Sequence, residues 1–102
     1  EVKVYDILPQ IPRSELIHYC SRQVYEIYQY DAAQHTDYIT TLLAYLKANR
    51  SVKSTAAYLH VHRNTVNYRI ARIRELFGLD LDSFSTAHQI LLSCQMIRLL
   101  QD

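Results

Sequence analysis

The chain has 102 residues, 49% of them hydrophobic, and a formal net charge of +1. This length supports one compact domain with a single core and leaves no room for a second domain. The two cysteines, Cys20 and Cys94, form no CxxC pair and match no zinc spacing, which argues against a disulfide framework and a zinc fold. The longest apolar runs fall far short of the roughly 18 residues of a membrane helix, and no signal peptide precedes them. We therefore expect a cytoplasmic protein.

Helix-breaking residues are nearly absent. There is one glycine, Gly78, and the two prolines, Pro9 and Pro12, lie near the start of the chain. A fold containing strands would need several Gly or Pro turns at this length. The sequence therefore predicts an all-α protein, a bundle of about five helices.

The first two predicted helices occupy the first half of the chain. Residues 1–12 are mixed and proline-bearing and are typical of a linker. Ser14 can cap a helix that runs to about Tyr30, in which apolar residues, Cys20 among them, recur at spacings of three and four. A break at 31–36 follows, and Thr36 can cap a second helix that ends near Asn49.

Three further helices complete the predicted bundle. Ser51 is suited to cap a short third helix over 52–59, and residues 60–62 form a tight connection without glycine. A fourth helix begins at His62 or Arg63 and ends before Gly78, which suits the left-handed position after a helix. Its apolar residues form one narrow stripe: Val66, Ile70, Ile73 and Phe77. The last helix runs from about 83 or 85 to 100 and places Cys94 on its inner face.

The charge is distributed unevenly along the chain. Residues 47–74 contain seven basic residues and no acidic ones, so this segment carries +7 and the remainder −6. The basic residues are Lys47, Arg50, Lys53, Arg63, Arg69, Arg72 and Arg74. Such a run can be a merely solvated surface. Because no acids interrupt it and Asn, Thr and Tyr are interleaved, it favours a polyanion as partner.

The third and fourth predicted helices have the pattern of a helix-turn-helix. They are short, a three-residue connection joins them, and the second is basic and polar. Ala56 and Ala57 are small, which would let the two helices cross closely. The alternative is an ordinary amphipathic helix whose polar face has no partner.

A helix-turn-helix would divide these polar side chains between bases and phosphates of duplex DNA. The helical wheel places Asn64 and Tyr68 opposite the apolar stripe, and the candidate base-reading residues are Asn64, Thr65, Asn67 and Tyr68. The candidate phosphate contacts are Lys53, Ser54, Thr55, His62, Arg63, Arg69, Arg72 and Arg74. Arg69 lies at the edge of the stripe, so an ion pair with Glu75 or another acid is an equal alternative. Tyr68 would be a packing residue if a partner covered the helix.

These residues resemble a known family, the C-terminal helix-turn-helix of bacterial PucR-type regulators, which are related to purine catabolism and sugar-diacid regulators. The resemblance rests on Thr55-Ala56, on the segments 61–66 and 68–70, and on Gly-Leu-Asp-Leu at 78–81. Ser51 departs from the Asn that is frequent there, and both residues cap helices well. The resemblance implies DNA-binding transcription regulation in a bacterial cytoplasm, with an effector-sensing domain upstream.

The domain organisation follows from the same reading. Because the sequence opens on Glu1 rather than Met, we expect a piece of a longer protein. Residues 1–30 would be the linker and helix that lead from the upstream sensor domain. Residues 31–102 would be the helix-turn-helix domain.

An enzyme and a helical protein-interaction module are the two other functional classes. His60 and His62 have no Cys or Glu ligand nearby, and glycine-rich phosphate loops are absent, so we expect neither an enzyme, a metal nor a cofactor. A helical protein-interaction module is the main alternative, because four tyrosines on the first helix can form a homodimer surface or pack within the bundle. These are Tyr19, Tyr25, Tyr28 and Tyr30.

Overall fold

The computed structural model describes residues 21–101, and side chains up to Leu99. The described part is built from five helices and contains no strand, which confirms the all-α prediction. They are α1 (Arg22–Gln34), α2 (Tyr38–Lys47), α3 (Val52–Leu59), α4 (Arg63–Phe77) and α5 (Phe84–Gln101). No helix among them is long and apolar enough to cross a membrane.

Helix α1 differs from its prediction at both ends. It begins after Ser21, whose backbone is extended, and it continues to Gln34 through most of the predicted break. Two alanines at 32–33 favour the helix because alanine has the highest helix propensity. The helix ends where His35 takes the left-handed conformation, with φ of 57°. The predicted linker at 1–12, the predicted cap Ser14 and Cys20 lie outside the described residues.

The start of α2 is held by a residue of the preceding helix. Thr36 was predicted to cap α2, but this prediction is wrong, since the helix begins one residue later, after Asp37. The carboxylate of Asp31 accepts hydrogen bonds from the backbone N–H groups of Tyr38 at 3.0 Å and Ile39 at 2.9 Å. The Thr36 hydroxyl donates to the same carboxylate. Asp31 therefore satisfies the first amides of α2.

The helix-turn-helix has the predicted caps. The Ser51 hydroxyl accepts from the Ser54 N–H at 3.1 Å, and α3 ends at His60 in the left-handed conformation, with φ of 58°. His62 precedes the first residue of α4, and Gly78 ends that helix with φ of 63°, its N–H donating to the Arg74 carbonyl at 2.9 Å. The bounds of both helices are thus confirmed.

A single core holds α4 among the other helices. The predicted stripe is confirmed, because Val66, Ile70 and Ile73 are buried and Phe77 packs against the core. Helices α1, α2 and α3 all contact α4, so its apolar face is covered on several sides. Cys94 is buried as predicted.

One detail of the packing departs from the sequence analysis, and another agrees with one of its two alternatives. Ala56 is buried between α3 and its neighbours, but Ala57 is exposed, so only one of the two alanines lies at the helix crossing. The tyrosines of α1 that the structure describes are half-buried and pack against the core. They are Tyr25, Tyr28 and Tyr30. Tyr19 lies outside the described residues.

Candidate nucleic-acid interface

The polar face of α4 is open to solvent in the first half of the helix. Asn64 and Asn67 are exposed, and Tyr68 keeps 63% of its surface accessible. Thr65 is half-buried beside Val66. An amide pair and an aromatic ring one turn apart thus lie on the side opposite the core, where an α-helix meets base edges in a major groove.

His62 caps α4 through its side chain. Its Nδ1 accepts from the backbone N–H of Asn64 at 3.0 Å. Because Nδ1 is the acceptor, the neutral ring carries its proton on Nε2. The imidazole is exposed, so this N–H is available as a donor next to the N-terminus of α4.

The N-terminus of α3 presents two of the three residues that were predicted there. Lys53 and Ser54 are exposed. Thr55 is fully buried, and its hydroxyl donates to the Ser51 carbonyl at 2.7 Å. A buried hydroxyl with an internal partner cannot reach a phosphate, so the assignment of Thr55 as a phosphate contact is corrected.

Arg69 braces α4 against α2. Its guanidinium donates to the hydroxyl of the buried Thr41 at 3.1 Å, and that hydroxyl in turn donates to the Asp37 carbonyl at 2.8 Å. Among residues 21–101, Arg69 forms no ion pair, and Glu75 pairs instead with Arg72 at 3.6 Å. Arg69 therefore has a bracing contact, with a hydroxyl as its partner.

Arg72 belongs to an aromatic cluster between α1, α2 and α4. Hydrogen bonds with the hydroxyls of Tyr38 and Tyr30 raise the pKa of Arg72. The two tyrosine rings stack with centroids 5.6 Å apart, and Tyr30 meets Phe77 edge-on, also at 5.6 Å. Tyr30 belongs to α1 and Tyr38 to α2, so the guanidinium connects α4 to both of these helices.

Arg74 and Arg50 share one carboxylate. An Arg74 guanidinium nitrogen lies 3.5 Å from Oδ2 of Asp82, and an Arg50 nitrogen lies 3.7 Å from Oδ1. Arg50 also donates to the Leu81 carbonyl at 3.1 Å. The turn before α3 is thereby connected to the segment after α4.

The basic segment therefore divides into two groups. Four of its arginines have intramolecular partners: Arg50, Arg69, Arg72 and Arg74. Within residues 21–101, the other three basic side chains make no ion pair or side-chain hydrogen bond, and all are exposed. They are Lys47, Lys53 and Arg63. The starts of α3 and α4 thus carry cations that no carboxylate of the described residues neutralises.

Sequence reasoning missed Lys47 and the contact of Arg50 with Asp82. Lys47 was counted in the basic run but not assigned to a site, although its place in the last turn of α2 gives it an exposed side chain. The contact of Arg50 joins residues 32 positions apart through two turns, and no periodicity signals it. No group of three His, Cys, Asp or Glu side chains in the described part of the chain is arranged to hold a metal ion.

Residues 38–96 match the family described as the PucR C-terminal helix-turn-helix domain. The proline-responsive transcriptional activator PutR of Bacillus subtilis is 31% identical over 96 residues, which cover 93% of this chain and 23% of PutR. The purine catabolism regulatory protein of Bacillus subtilis is 40% identical over 60 residues, covering 59% of this chain and 11% of that protein. The carbohydrate diacid regulator of Escherichia coli is 48% identical over 44 residues, covering 43% of this chain and 11% of that protein.

The chain thus spans about a quarter or less of the length of these relatives. No solved structure shows significant similarity to it. The family match covers more than half of the chain and includes α2, α3 and α4 entirely. The chain belongs to the PucR C-terminal helix-turn-helix family.

Proposed function

We propose that this chain is the sequence-specific DNA-binding domain of a bacterial transcriptional regulator, with α4 lying in the major groove of duplex DNA. The observation that carries the proposal is the exposed polar start of α4 beside two capped helix N-termini and unneutralised cations. The names of the relatives, a transcriptional activator, a purine catabolism regulatory protein and a carbohydrate diacid regulator, support a regulatory role.

Base recognition is assigned to the outward face of α4. Asn64 and Asn67 each carry an amide that can bond bidentately to the N6 and N7 positions of adenine. The methyl group of Thr65 and the ring of Tyr68 can contact the methyl group of thymine. This face therefore favours A·T pairs in the operator.

Phosphate recognition is assigned to the two helix N-termini. Backbone N–H groups at the start of α3 and α4 point toward an approaching anion, and Lys53, Ser54, His62 and Arg63 lie beside them. Because Nδ1 of His62 accepts the capping hydrogen bond, its Nε2–H can donate to a phosphate. Arg69, Arg72 and Arg74 already have internal partners, so we assign them to holding α4 in place.

We further propose the context in which the domain works. Residues 1–30 connect the domain, residues 31–102, to a sensor domain of the same polypeptide, and the regulator acts in the cytoplasm. A homodimer would place two copies of α4 in successive major grooves, because helix-turn-helix dimers bind half-sites one helical turn apart.

Salt dependence of duplex binding tests the proposal. If about four to six phosphates are contacted per domain, the log–log slope of affinity against salt is about −4 to −5. We expect this slope when the 102-residue chain is titrated into labelled duplexes and followed by fluorescence anisotropy between about 50 and 200 mM salt. Affinity that does not change with salt would contradict the proposal. Selection from random duplexes then gives the operator, and a palindromic consensus is the result expected for a dimer.

A further inference from the structure

Asp82 lies between two cations that come from different parts of the helix-turn-helix. One carboxylate oxygen faces Arg50, at 3.7 Å, and the other faces Arg74, at 3.5 Å. The backbone that carries this carboxylate is held in place, because Leu79 and Leu81 are buried and the Asp82 N–H donates to Oδ1 of Asp80 at 3.1 Å. The basic run at 47–74 contains no acid, and Asp82 supplies the counter-charge for two of its members.

The backbone of Arg50 takes a conformation that is unusual for arginine. Its φ is 65°, in the left-handed region that favours glycine, and an arginine there is strained by about 1 kcal/mol or more. Its guanidinium donates to the Leu81 carbonyl and pairs with Asp82. Arg50 directly precedes Ser51, the cap of α3, so its charge lies next to a proposed phosphate site.

Arg74 lies on the same flank of α4 as two proposed DNA contacts. At about 100° per residue, it falls within about 20° of Arg63 and Asn67 on the helical wheel. Its side chain is 37% accessible, that of Arg50 is 41% and that of Asp82 is 75%. Ion pairs this exposed are weak, so a phosphate can compete with the carboxylate for either arginine.

We propose that Asp82 limits DNA binding that is independent of sequence, because it holds Arg50 and Arg74 away from the DNA backbone. The inference rests on the proposed function, since it concerns the same DNA-binding surface. Sequence-independent affinity grows with every phosphate that a cation neutralises. Occupying two cations internally therefore lowers the affinity for any duplex, whereas the base contacts proposed for Asn64 and Asn67 are unaffected.

The test compares Asp82→Asn with Asp80→Asn on a duplex of random sequence, about 20 base pairs long. Both variants remove one negative charge, and Asn at position 80 keeps the oxygen that accepts from the Asp82 N–H. At about 0.1 M salt we expect Asp82→Asn to bind about three- to tenfold more tightly, with a salt slope steeper by about 1 to 2. For Asp80→Asn we expect about a twofold change or less.

A double variant assigns the effect to the released arginine. Asp82→Asn combined with Arg50→Gln should lose about half of the increase in slope. Loss of folding cannot imitate the result, because an unfolded helix-turn-helix would bind less tightly. Equal gains for Asp82→Asn and Asp80→Asn, or no gain for Asp82→Asn while the wild-type slope stays steep, would overturn this inference alone. A flat wild-type slope would overturn the proposed function as well.

Discussion

Asn64 is the proposed base-reading residue whose replacement can separate recognition of bases from recognition of the DNA backbone. Its side chain is exposed at the second position of α4, while its backbone N–H is held by His62. Replacing the side chain therefore leaves the cap in place. We expect Asn64→Ala to weaken binding to a selected operator by about 1 to 3 kcal/mol and to leave binding to random DNA nearly unchanged, as measured by titration of both duplexes.

Gln29→Ala provides the control for the Asn64 variant. Gln29 is an exposed amide on α1, a helix that lies outside the helix-turn-helix. It should change neither affinity. If Asn64→Ala weakened operator and random DNA equally, Asn64 would be a positioning contact and not a reader of bases.

Residue types and their spacings predicted which side chains of α4 face outward, but not which groups the side chains contact. The wheel placed Asn64, Asn67 and Tyr68 on the polar face, and each is exposed. Thr55 was expected at a phosphate because of its place near the start of α3, yet it is buried. A hydroxyl can be satisfied by the carbonyl four residues earlier, and only the packing of the neighbouring helices decides whether this happens.

At the scale of the helices, the N-terminus of α2 shows that the residue in the capping position is not always the one that caps. Asp37 is at the N-cap position, but its side chain makes no capping hydrogen bond. Asp31, in the last turns of α1, accepts from two backbone N–H groups of α2. The capping carboxylate therefore also fixes the angle between the two helices.

We expect Asp31→Ala to lower the free energy of unfolding by about 1 to 3 kcal/mol, because it leaves two partly buried donors without an acceptor. Asp37→Ala, which removes the same group from the nominal cap, should cost about 0.5 kcal/mol or less. Urea unfolding followed by circular dichroism measures both values. If both variants lost the same free energy of unfolding, the hydrogen bonds of Asp31 would contribute no more to stability than the side chain of Asp37 does.

Most of the helical architecture could be predicted because its signals are local. Ser51, His62 and Gly78 are read directly as caps, and the stripe of Val66 and Ile70 shows which face of α4 is buried. The boundary between α1 and α2 could not be predicted in this way. Its determinant is a contact between residues seven and eight positions apart, which follows from the packing of two helices and from no helical period.

In the folded molecule, some basic residues of the segment 47–74 hold the helices together, and the others are exposed where DNA is proposed to bind. The uneven charge was visible in the sequence. Which basic residues have internal partners depends on four residues outside the run at 47–74: Tyr30, Tyr38, Thr41 and Asp82. We therefore expect the surface to neutralise fewer phosphates than a count of seven basic residues implies. Exposed Lys53 and Arg63 should carry more of the salt dependence than Arg69 and Arg72.

Two double variants with the same change of charge test this division. Lys53→Gln with Arg63→Gln should make the salt slope shallower by about 1.8, since each lost phosphate contact removes about 0.9, and should leave the midpoint of thermal unfolding unchanged. Arg69→Gln with Arg72→Gln should instead lower that midpoint, because it removes the Thr41 contact and the hydrogen bonds to two tyrosines. At temperatures where this second variant is still folded, its slope should change by less than half as much. If the two pairs changed the slope equally, the arginines that brace α4 would also be contacting phosphates, and the division of the basic segment would be wrong.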